Sequence, residues 1–247
     1  MNFIDLHIHL QDFESDYSAD IVKKAQKSGL KKMVCAATSE DDWKKVADLA
    51  VSDPEMIIPA FGIHPWYIKK ASLQWDEKLI KQCLAFKSVL IGETGLDALK
   101  DDIKTQKQIF IRHLEIASLL RRAVVIHNVK AFGFLSDIWD KFPPFFMFHS
   151  FNARVEQLKE ILSRGAYVSF GASILKNRDG ERILLNVPKD KILLESDAPY
   201  QAYDKNNPST PFFIPELLKK ISAIRGDDIE ELARQLFENS QKFISAV

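Results

Sequence analysis

Short apolar runs alternate along this chain with longer stretches in which apolar residues recur every three or four positions. The short runs predict eight strands, at Asn2–His9, Lys32–Ala37, Ile57–Gly62, Ser88–Thr94, Ala123–His127, Phe145–His149, Ala166–Phe170 and Ile192–Ser196. The longer stretches predict helices, at Ala19–Ser28, Glu40–Ser52, Asp76–Phe86, Lys104–Arg121, Lys130–Lys141, Ala153–Arg164, Gly180–Leu185, Ile214–Arg225 and Ile229–Ser245. Strands that alternate with helices indicate a parallel sheet, and eight such strands close a barrel. The pattern therefore predicts the α/β fold class, as a TIM-like (β/α)8 barrel.

The alternation of residues within two strands predicts which side chains face the barrel interior. From position 4 to position 9 of the first strand, apolar and polar residues alternate: Ile4, Leu6 and Ile8 share one parity, and Asp5, His7 and His9 share the other. Because successive side chains of a strand point to opposite sides, we expect the apolar set to face the outer helices and the histidines to face inward. In the fourth strand the same rule places Val89 and Ile91 in the interior, with Glu93 above them.

Length and composition agree with a single barrel domain over residues 1–247, since 46% of the residues are hydrophobic and can form a large core. Cys35 and Cys83 lie in apolar surroundings, so we expect reduced, buried and unreactive thiols. No apolar stretch approaches the ~20 residues of a membrane span, and no basic stretch precedes the apolar residues at the N-terminus. We therefore expect a cytoplasmic protein with no membrane contact and no obligate protein partner.

The chain carries no net charge, because 34 Lys and Arg residues balance 34 Asp and Glu residues. Tight, non-specific binding to duplex nucleic acid depends on the neutralisation of phosphates by basic residues. The charge balance therefore argues against such binding, while a small local site for one phosphate remains compatible with it.

Histidines and acidic residues stand at the ends of five strand-like segments. The candidate metal ligands are His7, His9, Glu93, His127, His149 and Asp197. In a parallel barrel the carboxyl ends of the strands converge on one face. Residues that are far apart in the sequence can therefore meet there around one or two metal ions.

His7 and His9 lie on one strand, where a period of two returns both imidazoles to the same side. Two ordinary strand histidines are the alternative, but Asp5 before them and the further candidates at other strand ends favour a metal site. Neutral imidazole suits Zn, Mn, Fe or Ni, and carboxylates also suit harder ions such as Mg. We therefore expect one or two divalent metal ions.

Glu93 ends the fourth predicted strand, within the segment Gly92-Glu93-Thr94-Gly95-Leu96-Asp97. A buried carboxylate needs a partner, which is either an Arg or Lys side chain or a pair of cations that the carboxylate bridges. Some binuclear barrel hydrolases bridge their ions with a carbamylated lysine, and this strand end offers no lysine. Glu93 is therefore the better candidate for a bridging ligand and a catalytic residue.

Asp197 follows the eighth predicted strand, and Pro199 turns the chain after it. A carboxylate there can touch a metal and accept a proton from metal-bound water, whose pKa falls toward neutrality. We interpret Asp197 as a catalytic residue, the alternative being a turn or helix-capping aspartate. His64 comes slightly later in its segment than the other candidates, and we interpret it as a substrate contact to an oxyanion or phosphate. A histidine that stabilises a turn is the alternative for His64.

His113 lies in the middle of a predicted helix, where a solvated or helix-packing role is the better interpretation. Two aromatic clusters, Trp66-Tyr67 and Tyr200 with Tyr203, could line a pocket and stack on a base or another ring. They could equally contribute to packing, and the sequence leaves both interpretations open.

Taken together, six blocks of this chain resemble the TatD-related deoxyribonuclease family of the metal-dependent amidohydrolase superfamily. The blocks are Asp5-Leu6-His7-Ile8-His9-Leu10, Gly62-Ile63-His64-Pro65, Gly92-Glu93-Thr94-Gly95-Leu96-Asp97, Ile126-His127, His149-Ser150-Phe151 and Leu194-Glu195-Ser196-Asp197-Ala198-Pro199-Tyr200. They span almost the whole chain in the family's order and approximate spacing. The set is specific, although each block alone would be weak.

The resemblance implies a TIM-like barrel that hydrolyses phosphodiester bonds in DNA, typically as an exonuclease, with up to two divalent ions. Carried over by position, it implies one ion held by His7, His9, Glu93 and Asp197, and a second held by Glu93, His127 and His149. His64 falls at the family's substrate-side histidine.

Three departures from the family pattern concern residues near the site. His127 is followed by Asn128-Val129-Lys130, without the family's usual basic residue two places after the histidine, and Phe151-Asn152-Ala153 replaces the family's Ser-Gly ending. Lys205 is the one basic residue among positions 201–208, where a basic stretch is usual. The departures leave the ligand set intact and weaken the inference of a long nucleic-acid contact.

The sequence therefore predicts a metal-dependent hydrolase acting on ester bonds, a TatD-like deoxyribonuclease whose substrate is single-stranded DNA or DNA ends. One alternative is a small-molecule amidohydrolase or phosphoesterase of the same superfamily, which the zero net charge and the few basic residues near the site favour. Another alternative is a metal-binding scaffold without turnover, against which the intact Asp197 argues.

Overall fold

A computed structural model describes residues 1–204 and 207–245, apart from the side chains at positions 15–17. Lys205, the basic residue noted after the eighth strand, lies outside the described residues. The strands are β1 (Phe3–Ile8), β2 (Leu30–Ala36), β3 (Ile57–Phe61), β4 (Leu90–Asp97), β5 (Val124–Val129), β6 (Phe146–Phe148), β7 (Tyr167–Phe170) and β8 (Ile192–Leu194). They follow one another around the sheet in chain order, and each pairs in parallel with the next.

The ring closes between β1 and the segment that follows β8. The backbone N–H of Asp197 donates to the carbonyl of His7 at 2.9 Å, and the N–H of His9 donates to the carbonyl of Ala198 at 2.8 Å. These bonds continue the parallel ladder past the end of β8. The predicted eight-stranded α/β barrel is thereby confirmed.

Helices cover the outside of the barrel: α1 (Ser15–Lys27), α2 (Glu40–Ser52), α3 (Trp75–Leu84), α4 (Ile103–Leu120), α5 (Val155–Ser163), α6 (Gly180–Asn186), α7 (Ile214–Arg225) and α8 (Ile229–Ile244). Local signals set their ends. The N–H of Ser39, the residue before α2, donates to Oδ1 of Asp42 at 3.1 Å, and Gly226 ends α7 in a left-handed conformation with φ 69°. None of the described helices is both long and apolar enough to cross a membrane.

The helix predicted at Lys130–Lys141 is wrong. Two short 3-10 turns, Phe132–Leu135 and Trp139–Lys141, occupy this segment. Gly133 disfavours a helix by roughly 1 kcal/mol relative to alanine. The ring centroid of Trp139 lies 6.1 Å from that of Phe132, so the aromatic residues of the segment pack on one another without a regular helix.

Two apolar clusters separate the inside of the barrel from its outside. The inner cluster takes members from all eight strands, namely Ile4, Leu6, Val34, Ala36, Ile58, Ala60, Leu90, Ala123, Val125, Met147, Tyr167 and Leu193. The outer cluster packs the strands against the helices and contains Ile8, Val89 and Ile91. The predicted orientations of Ile4 and Leu6, and of Val89 and Ile91, are therefore wrong.

The reason for this error is that two strands do not keep a regular alternation. The ladder register shifts between Asp5 and Ile8 in β1, and between Ile91 and Thr94 in β4. An irregularity of this kind turns the following side chains to the other side of the sheet. The shift in β1 lets Leu6 fill the barrel interior, while the polar residues after Leu6 also point inward. These polar residues lie at the upper end of the barrel, which is the end where the carboxyl ends of the strands lie.

Helix α8 closes the lower end of the barrel. Among the described residues, the inner cluster includes one helical member, Phe243 of α8, and its ring centroid lies 5.5 Å from that of Tyr167. With the lower end filled by apolar side chains, the upper end is left as the place where buried polar residues gather.

Candidate metal centre

The first half of the polar cluster joins β1, β4 and the segment after β8. Nε2 of His7 and Nε2 of His9 lie 3.4 and 3.5 Å from Oε2 of Glu93. Oδ1 of Asp197 lies 3.7 and 3.4 Å from the same two nitrogens. The four side chains are buried, so four potential ligands share one small space at the upper end of the barrel.

The second half of the cluster surrounds the other oxygen of Glu93. Nδ1 of His127 and Nε2 of His149 each lie 2.9 Å from Oε1 of Glu93. Nε2 of His64 lies 3.2 Å from the same oxygen. The structure thus brings together all six predicted ligand residues and the predicted substrate contact, with the Glu93 carboxylate between the two halves.

Gly95 lets β4 and β5 approach closely enough to form this cluster. Its φ is 146°, and a Cβ atom built on it would lie 1.9 Å from the carbonyl oxygen of His127. A side chain at this position would separate the two strands. The glycine therefore brings His127 beside Glu93.

Groups behind two of the imidazoles orient them toward Glu93. Nδ1 of His9 lies 2.9 Å from the carbonyl oxygen of Ala36 and donates to it, which leaves Nε2 free to act as a ligand. Nε2 of His127 lies 3.7 Å from Oδ2 of Asp97, which leaves Nδ1 on the inner side. Metal-binding histidines generally have such a carbonyl or carboxylate behind them. Sequence reasoning did not single out Asp97, although its block contains Glu93.

Glu195 stands in the same relation to His149. Its Oε1 lies 3.6 Å from Nδ1 of His149, and its Oε2 accepts a hydrogen bond from Ser169. Neither Nδ1 of His149 nor Oε1 of Glu195 has a hydrogen-bond partner among the described residues, so each is the other's natural partner. Glu195 was missed as a site residue because only the folded structure shows it behind His149.

The spacing of the imidazole nitrogens fits a metal centre. Nε2 of His7 and His9 are 3.1 Å apart, and Nδ1 of His127 is 3.3 Å from Nε2 of His149. Two lone pairs that face each other so closely repel unless a proton or a cation lies between them. Ligands about 2.1 Å from a tetrahedral ion are separated by roughly 3.4 Å. The donor set, the burial and the spacing therefore suit a divalent cation. Three groups of three residues each have their potential ligand atoms within 4.8 Å of one another, and one of these groups includes His64: His7, Glu93 and His149; His7, His9 and Asp197; His64, Glu93 and His127.

The charges of the cluster also call for a cation. Burial raises the pKa of Glu93, but the surrounding histidines outweigh it and hold that pKa well below its usual value. Burial lowers the pKa of His149, but the Glu93 carboxylate outweighs it and holds that pKa well above its usual value. For His9, the contact with Asp197 likewise overcomes burial and raises the pKa to about 9. The carboxylates thus stay ionised and attract positive charge, which a divalent ion can supply.

His64 differs from His9 in the role of Nδ1, which accepts a hydrogen bond in His64 and donates one in His9. Its Nδ1 accepts a hydrogen bond from the backbone N–H of Trp66 at 3.1 Å. The neutral ring therefore carries its proton on Nε2, the atom that faces Glu93. A protonated nitrogen donates hydrogen bonds and does not bind a metal, so the geometry favours a donor at this position.

His113 is a packing residue and not a solvated one. It is buried in α4, and its ring stacks on that of Trp75 with centroids 4.5 Å apart. Its Nε2 accepts a hydrogen bond from the N–H of Ile63 at 3.1 Å, while Nδ1 donates to the carbonyl of Ile109 at 2.7 Å. Through the bond to Ile63, His113 therefore fixes the backbone position of the residue that precedes His64.

Asp197 ends a short chain of hydrogen bonds that sequence reasoning missed. The side-chain amide of Gln201 donates to Oδ2 of Asp197, and Oε1 of Gln201 accepts from the hydroxyl of Ser150 at 2.8 Å. All three residues have left-handed backbones, with φ of 50° at Asp197 and Gln201 and 45° at Ser150. Such conformations are uncommon outside glycine and cluster at functional sites.

Asp5, two residues before His7, secures the seam between the first and last strands. Its carboxylate accepts hydrogen bonds from the N–H of Ser196 at 2.9 Å and from the hydroxyl of Ser196 at 2.5 Å. Burial raises the pKa of Asp5 to about 7 despite these bonds. Asp5 therefore supports the placement of His7 and Asp197 from outside the ligand cluster.

A cavity of about 350 Å³ lies above the ligand cluster. Its lining includes the ligands His9, Glu93, His127, His149 and Asp197, and also Asp12, Thr38, His64, Trp66, Tyr67, Tyr200 and Gln201. Both residues of the first predicted aromatic cluster, Trp66 and Tyr67, thus border the cavity, as does Tyr200 of the second. Tyr203 has a packing role, because its ring stacks on Phe213 with centroids 5.1 Å apart.

Comparison with known proteins places the chain in a family. The family model described as TatD related DNase matches residues 4–245. The putative deoxyribonuclease tatdn3 of Danio rerio is 26% identical, with 94% of each chain covered. The 3'-5' ssDNA/RNA exonuclease TatD of Dickeya dadantii is 27% identical, with 97% of this chain and 96% of the relative covered.

The fold agrees with the sequence comparison. The crystal structure of YJJV, a TatD homologue from Escherichia coli, superposes with a TM-score of 0.91 over 99% of this chain and 98% of the other, at 24% identity. The barrel architecture is thus shared along the whole length of both chains. The model match across residues 4–245 covers every block that carried the resemblance, and the chain belongs to the TatD related DNase family.

Proposed function

We propose that this chain is a divalent-metal-dependent hydrolase that cleaves phosphodiester bonds at the ends of single-stranded DNA. The observation that carries the proposal is the buried Glu93 carboxylate, whose two oxygens face separate sets of imidazoles. A ligand that can bridge two cations suits hydrolysis of a charged ester, in which both the attacking and the leaving oxygen need stabilisation.

The ligands divide between the two oxygens of Glu93. On the Oε2 side, His7, His9 and Asp197 complete one set, and on the Oε1 side His127 and His149 complete the other. The mixture of imidazole and carboxylate suits Zn, Mn, Fe or Ni, and the carboxylates also admit Mg. When bound, such an ion acidifies water and polarises a phosphoryl oxygen.

The remaining residues act on the substrate and on protons. Asp197 serves as the proton acceptor, and the Gln201 amide fixes the direction of its carboxylate. His64 donates a hydrogen bond from Nε2 to a phosphoryl oxygen, in keeping with the tautomer that the Trp66 N–H imposes. Glu195 and Asp97 orient His149 and His127 from behind.

The choice of nucleic acid rests on the family and on one relative. The matching model is described as a DNase, and the Dickeya dadantii relative is named a 3'-5' ssDNA/RNA exonuclease. The neutral chain lacks the charge excess that tight duplex binding requires. A short contact with one strand end therefore fits better than a long contact with a duplex.

A second candidate function is hydrolysis of a small amide, lactone or phosphoester. The cavity of about 350 Å³ favours it, because this volume lies at the lower end of the range for small-molecule pockets, roughly 300–1,000 Å³. The same ligands and the same proton acceptor would serve both functions, so substrate choice has to come from the cavity walls.

The test is elemental analysis of the purified protein, followed by assays with 3′- and 5′-labelled single-stranded DNA and with simple phosphodiesters. We expect bound metal and release of nucleotides from one end. Glu93→Gln should abolish the release, whereas Glu115→Gln on the exposed face of α4 is the matched control. Hydrolysis of simple esters without release from DNA would select the second candidate, and metal binding without any hydrolysis would select a scaffold.

A further inference from the structure

Aromatic side chains that are not metal ligands line part of the cavity above the ligand cluster. Trp66 and Tyr200 both line it, and 54% and 52% of their surfaces are exposed. They follow β3 and β8, strands that are not neighbours in the sheet. Large aromatic faces left open beside a polar centre are typical of a site that contacts a flat ligand.

Each ring is held in place by its polar end. Nε1 of Trp66 donates to Oδ2 of Asp97 at 2.7 Å, and the hydroxyl of Tyr200 donates to Oδ2 of Asp12 at 2.9 Å. These bonds fix the orientation of the rings, while about half of the surface of each side chain stays exposed. A ligand that stacks on them therefore loses little affinity to the ordering of side chains.

We propose that Trp66 and Tyr200 form a subsite for the base of the nucleotide whose phosphate lies at the ligand cluster, with Trp66 as the stacking surface. This proposal rests on the proposed function, which it deepens by naming what the walls recognise. The cavity of about 350 Å³ suits a single nucleotide unit. Nζ of Lys100 lies over one face of the Trp66 ring, 4.2 Å from its centroid, so the base would stack on the opposite face.

A stacking subsite determines which strand ends can enter. Every base has a flat face, so stacking tolerates any sequence. A base has to leave its own stack and pairing partner before it can lie on Trp66. The subsite therefore favours unpaired terminal nucleotides and is nearly indifferent to their identity.

The test compares two ligands that differ only in the base: 2′-deoxythymidine 5′-monophosphate and 2-deoxyribose 5-phosphate. Calorimetry on the metal-loaded protein should show roughly 5- to 150-fold tighter binding of the nucleotide, the range expected for stacking of one base. Trp66→Leu should remove most of this preference. Trp66→Phe loses the bond to Asp97 but keeps an aromatic face, so it should retain most of the preference.

Two controls separate stacking from damage to the site. Phe134→Leu changes an aromatic residue that is 42% exposed and is not among the residues lining the cavity, and it should leave the preference unchanged. The metal content of every variant is measured, and it should match that of the wild type.

Equal affinity of the wild type for the two ligands would overturn the subsite, as would a preference that survives in both Trp66→Leu and Tyr200→Leu. The proposed function fails in a different way. A wild type that prefers the nucleotide but releases none from labelled DNA keeps the subsite and loses the nuclease activity. Release from DNA without any preference for the nucleotide removes the subsite alone.

Discussion

The side-chain amide of Gln201 donates a hydrogen bond to Oδ2 of Asp197, while Oδ1 of the same carboxylate lies 3.4 Å from Nε2 of His9. The two oxygens therefore have different surroundings, since one faces the ligand cluster and the other a neutral amide. A hydrogen bond of this kind orients the carboxylate and stabilises its ionised form. Gln201 thus fixes the direction of the Asp197 carboxylate, which under the proposed function is the group that accepts the proton.

Removal of that hydrogen bond should slow turnover without releasing metal. Gln201→Met keeps the length of the side chain and loses the donor. Because a hydrogen bond to a charged group contributes about 1.5–3 kcal/mol, we expect kcat to fall roughly 10- to 150-fold with KM within about twofold of the wild-type value. Gln108→Met, on the exposed face of α4, is the matched control. An unchanged kcat in Gln201→Met would mean that Asp197 needs no such support.

Glu93 and His64 should respond differently to substitution. Glu93→Gln removes the carboxylate that both sets of imidazoles face, so we expect loss of bound metal together with all detectable activity. His64→Asn removes one donor to the substrate and should lower kcat/KM roughly 5- to 150-fold, the equivalent of about 1–3 kcal/mol, at normal metal content. Elemental analysis and kinetics on the same preparations make the comparison. An equal loss in both variants with unchanged metal would contradict the two roles.

Asp197→Asn should separate proton transfer from metal binding. Asparagine keeps the shape and one acceptor oxygen but loses the charge and most of the basicity, while the other ligands remain. We expect kcat to fall on the order of 10²- to 10⁴-fold, the usual contribution of a positioned general base, with a smaller change in substrate binding. Near-normal turnover in a fully metal-loaded variant would show that Asp197 is not the proton acceptor.

His113 should make the protein less stable as the pH falls. Burial lowers the pKa of this histidine to about 4, below its ordinary value of 6.5. Between these values the unfolded chain binds a proton that the native protein rejects, so the contribution of His113 to stability is complete above pH 6.5 and is lost toward pH 4. The loss amounts to about 3 kcal/mol at most.

The matched variant is His113→Gln, whose side-chain oxygen can still accept the hydrogen bond from the N–H of Ile63. We expect a lower free energy of unfolding at pH 7 than in the wild type and a flatter dependence on pH between 6.5 and 4. Denaturant unfolding of both proteins in the same buffers measures the difference. Parallel curves would show that another group dominates this pH range.

Polar residues at the ends of apolar runs proved a reliable signal. His127 and His149 each follow such a run, and the carboxyl ends of parallel strands have to converge, so their meeting with Glu93 was predictable without a structure. The barrel, the family and the class of metal-dependent hydrolase were predicted from the same blocks, and all three are confirmed. The individual roles of the site residues and the single domain over residues 1–247 stay predictions.

The interior of the barrel was harder to predict than its rim. Alternation wrongly predicted that Leu6 faces outward. The cause of the error is the register shift between Asp5 and Ile8, which cannot be seen in the pattern of apolar and polar residues. The groups behind the imidazoles were missed for another reason. Glu195 and His149 are far apart in the sequence and lie close together only in the folded structure. Gln201 reaches Asp197 from a loop, and the amino-acid composition of that loop does not specify its backbone conformation.

The seam between β1 and the segment after β8 joins the beginning of the chain to its last quarter. Asp5 and Ser196, which meet across it, are 191 residues apart in the sequence. Asp197, whose backbone N–H bonds to His7, is therefore synthesised long after His7. Bringing such distant segments together costs chain entropy that shorter loops avoid. If His7 and Asp197 hold one ion between them, as we propose, loss of the ion and opening of this seam are linked.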